Sequence, residues 1–154
     1  MPSATHIGQA RSGVIVALAN DGGFLEHVDG NDFKADDVAG IVRIEIRFVL
    51  RDAHGKDVLT PRRRGEDEPY ILIEETRHAP DGRLAVYNYD VVFPSQGIHY
   101  GYHHHIHEHA PYPHRQGFGV PGGHQPFAFV DFERDDVLWL LITKAFEIDA
   151  AIER

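Results

Sequence analysis

Residues 70–93 read YILIEETRH-APDG-RLAVYNYDVVF, two strand-like runs joined by Ala79-Pro80-Asp81-Gly82. Proline followed by Asp-Gly between alternating apolar residues is a strong hairpin signal, because both residues supply turn dihedrals that a strand interior does not use. In the second arm Ala85, Tyr87, Tyr89, Val91 and Phe93 share one face, and Leu84, Val86, Asn88, Asp90 and Val92 the other. An antiparallel sheet is therefore expected at the centre of the fold.

Working outward on the N-terminal side, Val42, Ile44, Ile46, Phe48 and Leu50 alternate with Arg43, Glu45 and Arg47, the pattern of a half-buried strand with one wet face. Residues 10–19 (ARSGVIVALA) form an apolar run, followed by Asn20-Asp21-Gly22-Gly23 and Phe24–Val28, which reads as a further hairpin. Between these strands and the central hairpin lies PRRRGEDEP (61–69), a charge-mixed loop. Its Arg62, Arg63 and Arg64 make a compact cationic spot suited to phosphate or partner contact. Glu74 and Glu75 are expected to be carboxylates on the sheet surface.

On the C-terminal side, Pro94-Ser95-Gln96-Gly97 breaks the chain before a segment rich in histidine. Eight of the twelve histidines fall between residues 99 and 124. If 99–109 is extended, His99, His103, His105, His107 and His109 share one face, with Gly101 as the gap. Tyr100, Tyr102, His104, Ile106 and Glu108 share the other. Residues 110–126 are interrupted by Pro and Gly and read as a loop, and Phe127–Phe132 as a last short strand. From Asp135 onward, Val137, Leu138, Leu141, Ile142, Ala145, Phe146, Ile148 and Ile152 recur at helical spacing. The expected fold class is α+β: a single domain over 1–154, with an antiparallel sheet of about five to seven strands built from hairpins and one C-terminal helix packed on one face.

Composition narrows the chemistry. With no cysteine, thiolate metal sites, disulfides and cysteine nucleophiles are excluded. No apolar run approaches a membrane span and the N-terminus does not read as a secretory signal, so a cytoplasmic protein without a membrane partner is expected. A formal net charge of -9 argues against coating nucleic acid by bulk charge, although the histidine count leaves room for a local cationic site.

Two chemistries suit the histidine row. Two imidazoles flanking a phosphodiester can act as general base and general acid, one removing the 2′-OH proton and the other protonating the leaving 5′-oxygen. The candidates are His103, His105, His107 and His114, with Arg115 stabilising the transition-state charge. Tyr100, Tyr102 and Tyr112 are candidates for stacking a base, with Arg62–Arg64 as further phosphate contacts. This reading needs no cofactor. Alternatively, His-x-His on a strand places two imidazoles about 6.6–6.8 Å apart at Cα on one face. His103, His105, His107 and His109 would then hold zinc or another divalent transition metal, with His114, Glu108 or Asp90 completing the shell.

The segment Tyr87-Asn88-Tyr89, the His103–His109 run, Pro113-His114-Arg115 and the helix from Asp135 together resemble the TumE-like toxins of toxin–antitoxin pairs. The resemblance covers the C-terminal half. It departs at Gln116, where the family pattern carries a second histidine after the Pro-His element, and in the longer N-terminal region. It implies a growth-inhibiting toxin acting on RNA as a ribonuclease, neutralised by a DNA-binding antitoxin partner.

Overall fold

The computed structural model describes residues 2–52, 54–60, 67–104, 112–132 and 134–152. An antiparallel sheet of eight strands carries two helices on one face. The strands are β1 (Leu25–His27), β2 (Phe33–Asp36), β3 (Ile41–Leu50), β4 (Tyr70–His78), β5 (Leu84–Phe93), β6 (Ile98–His104), β7 (His114–Gly117) and β8 (His124–Pro126). Their order is β1-β3-β4-β5-β6-β7-β8, and β2 pairs with the first half of β3 while β1 pairs with its end. The α+β reading and the central hairpin hold. Tyr70 faces Val92 and Glu75 faces Tyr87 across it.

The N-terminal region departs from expectation. Residues 10–19 belong not to a hairpin arm but to helix α1 (Ala4–Gly22), capped by Ser3, whose hydroxyl accepts from the His6 N–H at 3.1 Å. Gly23 closes it at φ 75. Two further expectations change near the other end. The stretch 110–126 is not all loop, since β7 and β8 lie within it, and Phe127–Phe132 is not a strand. The last helix, α2, runs Val137–Ile152, and no described helix is long and apolar enough to cross a membrane.

Alternation in β3, β4 and β5 divides the sheet. Val42, Ile44, Ile46, Phe48, Ile71, Ile73, Tyr89, Val91 and Phe93 are buried on the face that α1 and α2 cover. Tyr87 and Tyr89 stack there at 4.7 Å between centroids, and Lys144 of α2 lies over the Tyr100 ring at 4.5 Å. The same face holds one buried charge cluster. Glu75 accepts from Arg11 of α1 through Nε (2.8 Å) and Nη2 (3.0 Å), from Arg77 Nε (2.8 Å) and from the Tyr89 hydroxyl (2.5 Å). It is therefore not the surface carboxylate that its sequence neighbourhood suggests. Among the described residues no helix covers the opposite face of the sheet, and the polar alternates project there.

Candidate functional site

The register of four adjacent pairings builds a single row across that helix-free face. Glu45 lies opposite Glu74, Glu74 opposite Asn88, Asn88 opposite His103, and His103 opposite His114. At about 4.8 Å between strands, the row runs about 19 Å perpendicular to the strands. A second row beside it places Asp90 opposite Gly101, Gly101 opposite Gln116, and Gln116 opposite His124.

The two rows meet at His103. Its Nε2 lies 2.6 Å from Asp90 Oδ1, and both residues are largely buried. A carboxylate accepts only, so Nε2 carries the hydrogen of this bond. Asp90 reaches His103 because the residue between them on β6 is glycine: a Cβ at Gly101 would overlap Asp90 Oδ1. Gly101→Ala is thus expected to push the Asp90 carboxylate off His103. Its activity should fall to the level of Asp90→Asn, and at least 1 kcal/mol of stability should be lost to the overlap, on the order of other overpacked sites. Comparing the two variants in one cleavage assay, with thermal melts alongside, checks this.

His114 stands next in the row, its ring 5.6 Å from that of His103 and 5.3 Å from that of His124. Its Nδ1–H donates to the Tyr112 carbonyl at 2.9 Å, and its Nε2 lies 3.1 Å from Gln116 Oε1. Gln116 Nε2 in turn lies 3.3 Å from His99 Nε2. An amide offers an oxygen at one end and N–H groups at the other, so Gln116 can turn to suit the protonation of the two imidazoles it bridges.

The other end of the row opens into a groove of about 250 Å³, lined by Arg43, Glu45, Glu74, Thr76, Val86 and Asn88. Burial raises the pKa of the Glu74 carboxyl, and the neighbouring carboxylates of Glu45 and Asp90 push it the same way, with His103 opposing. The Glu74 carboxyl stands one strand from Asn88 and Asp90 and two from His103. Asn88 Oδ1 is buried and makes no hydrogen bond among the described residues.

The placement of the sequence candidates is uneven. His103 and His114 are brought together. His105, His107 and His109, together with Glu108 and Arg62–Arg64, lie outside the described residues. Tyr100, Tyr102 and Arg115 point the other way. Neighbours on a strand face opposite sides, so Arg115 turns from His114 to meet Gln125 Oε1 at 2.7 Å and the Tyr100 hydroxyl at 3.5 Å. Tyr100 and Tyr102 are buried on the helix side, where Tyr102 packs on Phe127 and desolvation raises its pKa. Neither can stack a base beside His103. Tyr112 is exposed, its ring 6.0 Å from His114.

Sequence reasoning passed over Glu74, Asn88 and Gln116, and named Asp90 only as a possible metal ligand. The hairpin turn at Pro80-Asp81-Gly82 does not find them by itself: it sets Arg77 opposite Leu84, and a register shift between Thr76 and Arg77 then brings Glu74 opposite Asn88, on the side away from Tyr87 and Tyr89.

As to a metal, His103 Nε2 is committed to Asp90, and both nitrogens of His114 are engaged by Tyr112 and Gln116. Among the described residues no three histidine or acidic side chains are placed to share an ion. No protein-family model matches the chain, and neither curated proteins nor solved structures give a match.

Proposed function

We propose that the chain is a ribonuclease that cleaves RNA by general acid–base catalysis with His103 and His114 as the two imidazoles. The observation that carries this reading is the Asp90–His103 contact at 2.6 Å with the His114 ring 5.6 Å away on the same face. Asp90 holds the Nε2–H tautomer of His103, which leaves Nδ1 as the basic nitrogen. His103 takes the 2′-OH proton, the 2′-oxygen attacks the adjacent phosphorus, and His114 gives a proton to the departing 5′-oxygen. The products are a 2′,3′-cyclic phosphate and a free 5′-hydroxyl. Asp90 also stabilises the imidazolium that forms, as an acidic partner does in other histidine bases. Arg43 lines the groove at the far end of the row, three strands from His103, where it can hold a phosphate further along the RNA rather than the reacting one.

His103 and His114 are 7% and 1% exposed, so the reaction requires the site to open around RNA. In the toxin reading that the family resemblance implies, expression without an antitoxin partner arrests growth. The test is cleavage of single-stranded RNA by the purified chain in chelator, with analysis of the product ends. Cyclic phosphate and 5′-hydroxyl ends are expected. Intact RNA, or cleavage that chelator abolishes, would refute the proposal.

A further inference from the structure

The helix layer presents a second surface, on the side of the molecule away from the histidine row. In α1 the residues turned to the sheet are mostly small, namely Ala4, Gly8, Ser12 and Ala19 with Ile15. The outward stripe Ala10, Gly13, Val14, Ala17 and Leu18 is exposed, at the i, i+3, i+4, i+7, i+8 spacing of a packing face. On α2 the exposed positions include Trp139, Leu140, Thr143, Phe146 and Ala150. Trp139 is 48% exposed, and Leu18 and Phe146 are each 39% exposed. The formal charges at exposed positions of the two helices are Asp21 and Glu147, and Glu147 is paired with Lys144 at 2.7 Å; Asp136, just before α2, adds a carboxylate in the lining of the hollow between the helices. The middle of this face is apolar, with Asp21 and Asp136 toward one end. A solvent-facing helix surface ordinarily carries charge along its outer side.

Between the helices, Leu18, Leu25, Phe132, Leu138, Trp139 and Ile142 line a mainly apolar hollow of about 140 Å³, with the exposed Asp136 also in its lining. An apolar cavity of roughly 150 Å³ accepts a benzene ring. The surface therefore carries both a hollow of aromatic size and an exposed aromatic ring, Phe146, seven residues along α2 from the hollow's rim at Trp139. Two copies of α2 crossing antiparallel about a two-fold axis near Thr143 set position 146 of each beside position 139 of the other, since the axis then lies midway between them. Hole and knob on one surface are what a self-complementary two-fold contact requires. The outer faces of the two helices, 19 and 16 residues long, span about 28 Å by 20 Å in plan. That footprint suits an interface at or below the standard size of about 800 Å² of accessible surface per partner.

We propose that the outer face of the two-helix layer is the interface of a symmetric dimer in which Phe146 of each copy enters the hollow between Leu18 and Trp139 of the other. Because the histidine row lies on the opposite face of the sheet, dimerisation leaves it open on both copies. Sedimentation equilibrium of the full chain at tens of micromolar is expected to give twice the 17.4 kDa chain mass. Leu18→Glu and Phe146→Glu should each sediment as monomers, whereas Val38→Glu, at a fully exposed position in the β2–β3 turn beside the N-terminal end of α1 and away from Leu18, should remain dimeric. Trp139 is the single tryptophan, so the wild-type chain supplies a readout that needs no variant: its emission should shift to the red on dilution as the interface opens. A wild-type chain that is monomeric at tens of micromolar overturns the proposal, including one that instead binds lipid vesicles or a different protein through this face. A dimer that survives both glutamate substitutions, or emission that does not change on dilution through dissociation, overturns it equally.

Discussion

His103→Ala is expected to reduce RNA cleavage by about 10²- to 10⁴-fold, the range that a positioned general base contributes. Asp90→Asn should lose less, because the imidazole remains but the acceptor that fixes its tautomer and stabilises its charged form is weakened. Asp90 Oδ1 lies 2.6 Å from Nε2, and the contact depends on the absence of a side chain at Gly101. His114→Ala should fall into the range of His103→Ala, and the double variant should be little worse than either single one, since acid and base act in one step. Arg115→Ala supplies the contrast. It carries the same positive charge one residue along, yet it bonds Gln125 on the other face, so cleavage should stay within about twofold of wild type. Arg43→Ala, at the far end of the row three strands from His103, should raise KM rather than lower kcat. Initial rates on one single-stranded RNA, at equal folded fraction by circular dichroism, decide the matter. A loss for Arg115→Ala as large as that for His114→Ala would mean that the face assignment plays no part in the chemistry.

How much of this was legible in the sequence follows from which signals are local. The β4–β5 hairpin, β3 and α2 each carry their own period and punctuation, so they read correctly from single segments. Helix α1 did not, for a specific reason. Asn20-Asp21-Gly22-Gly23 serves equally as a hairpin turn and as a helix end with glycine in the left-handed region, and here it is the latter. The face that α1 buries is built of Ala4, Gly8, Ser12 and Ala19, which contribute little to an apolar period. The cap was present at Ser3 but lacked the acidic first turn that usually reinforces it. In the site, alternation alone separated His99 and His103 from Tyr100 and Tyr102. The same rule, applied to Pro113-His114-Arg115, shows why Arg115 could not join His114 once that segment became a strand. What alternation cannot supply is register between strands distant in sequence. The row Glu45–Glu74–Asn88–His103–His114 draws on five strands; the Glu74–Asn88 and Asn88–His103 pairings lie within tight hairpins, whereas Glu45–Glu74 and His103–His114 do not.

Glu75→Gln is expected to have the largest effect on stability, about 3–5 kcal/mol, as when one partner of a buried ion pair is removed. Glu75 is 2% exposed and accepts from two guanidinium groups and a phenol. Burial by itself would raise the pKa of its carboxyl. The hydrogen bonds and charges of Arg11 and Arg77 outweigh that and hold it at about 2, against an ordinary 4.5. Glutamine keeps an acceptor for one or two of these donors but leaves Arg11 of α1 and Arg77 of β4 without a compensating charge. At about 2–4 °C per kcal/mol for a chain of this size, the melting temperature should fall by about 10 °C or more. The pH dependence gives an independent check. The folded-state pKa lies below the unfolded one, so this contribution is complete above about 4.5 and is lost as pH falls toward and through about 2. The difference corresponds to about 3 kcal/mol, which the wild type should shed in that window. The Gln variant has no proton to bind there, so the gap between the two melting temperatures should narrow steadily from pH 5 to pH 2. Tyr89→Phe, which removes one donor and keeps the ring, should cost about 1–2 kcal/mol and leave most of the acid dependence in place. A gap between wild type and Glu75→Gln that stays constant across the window would show that the carboxylate is not held ionised by its two arginines.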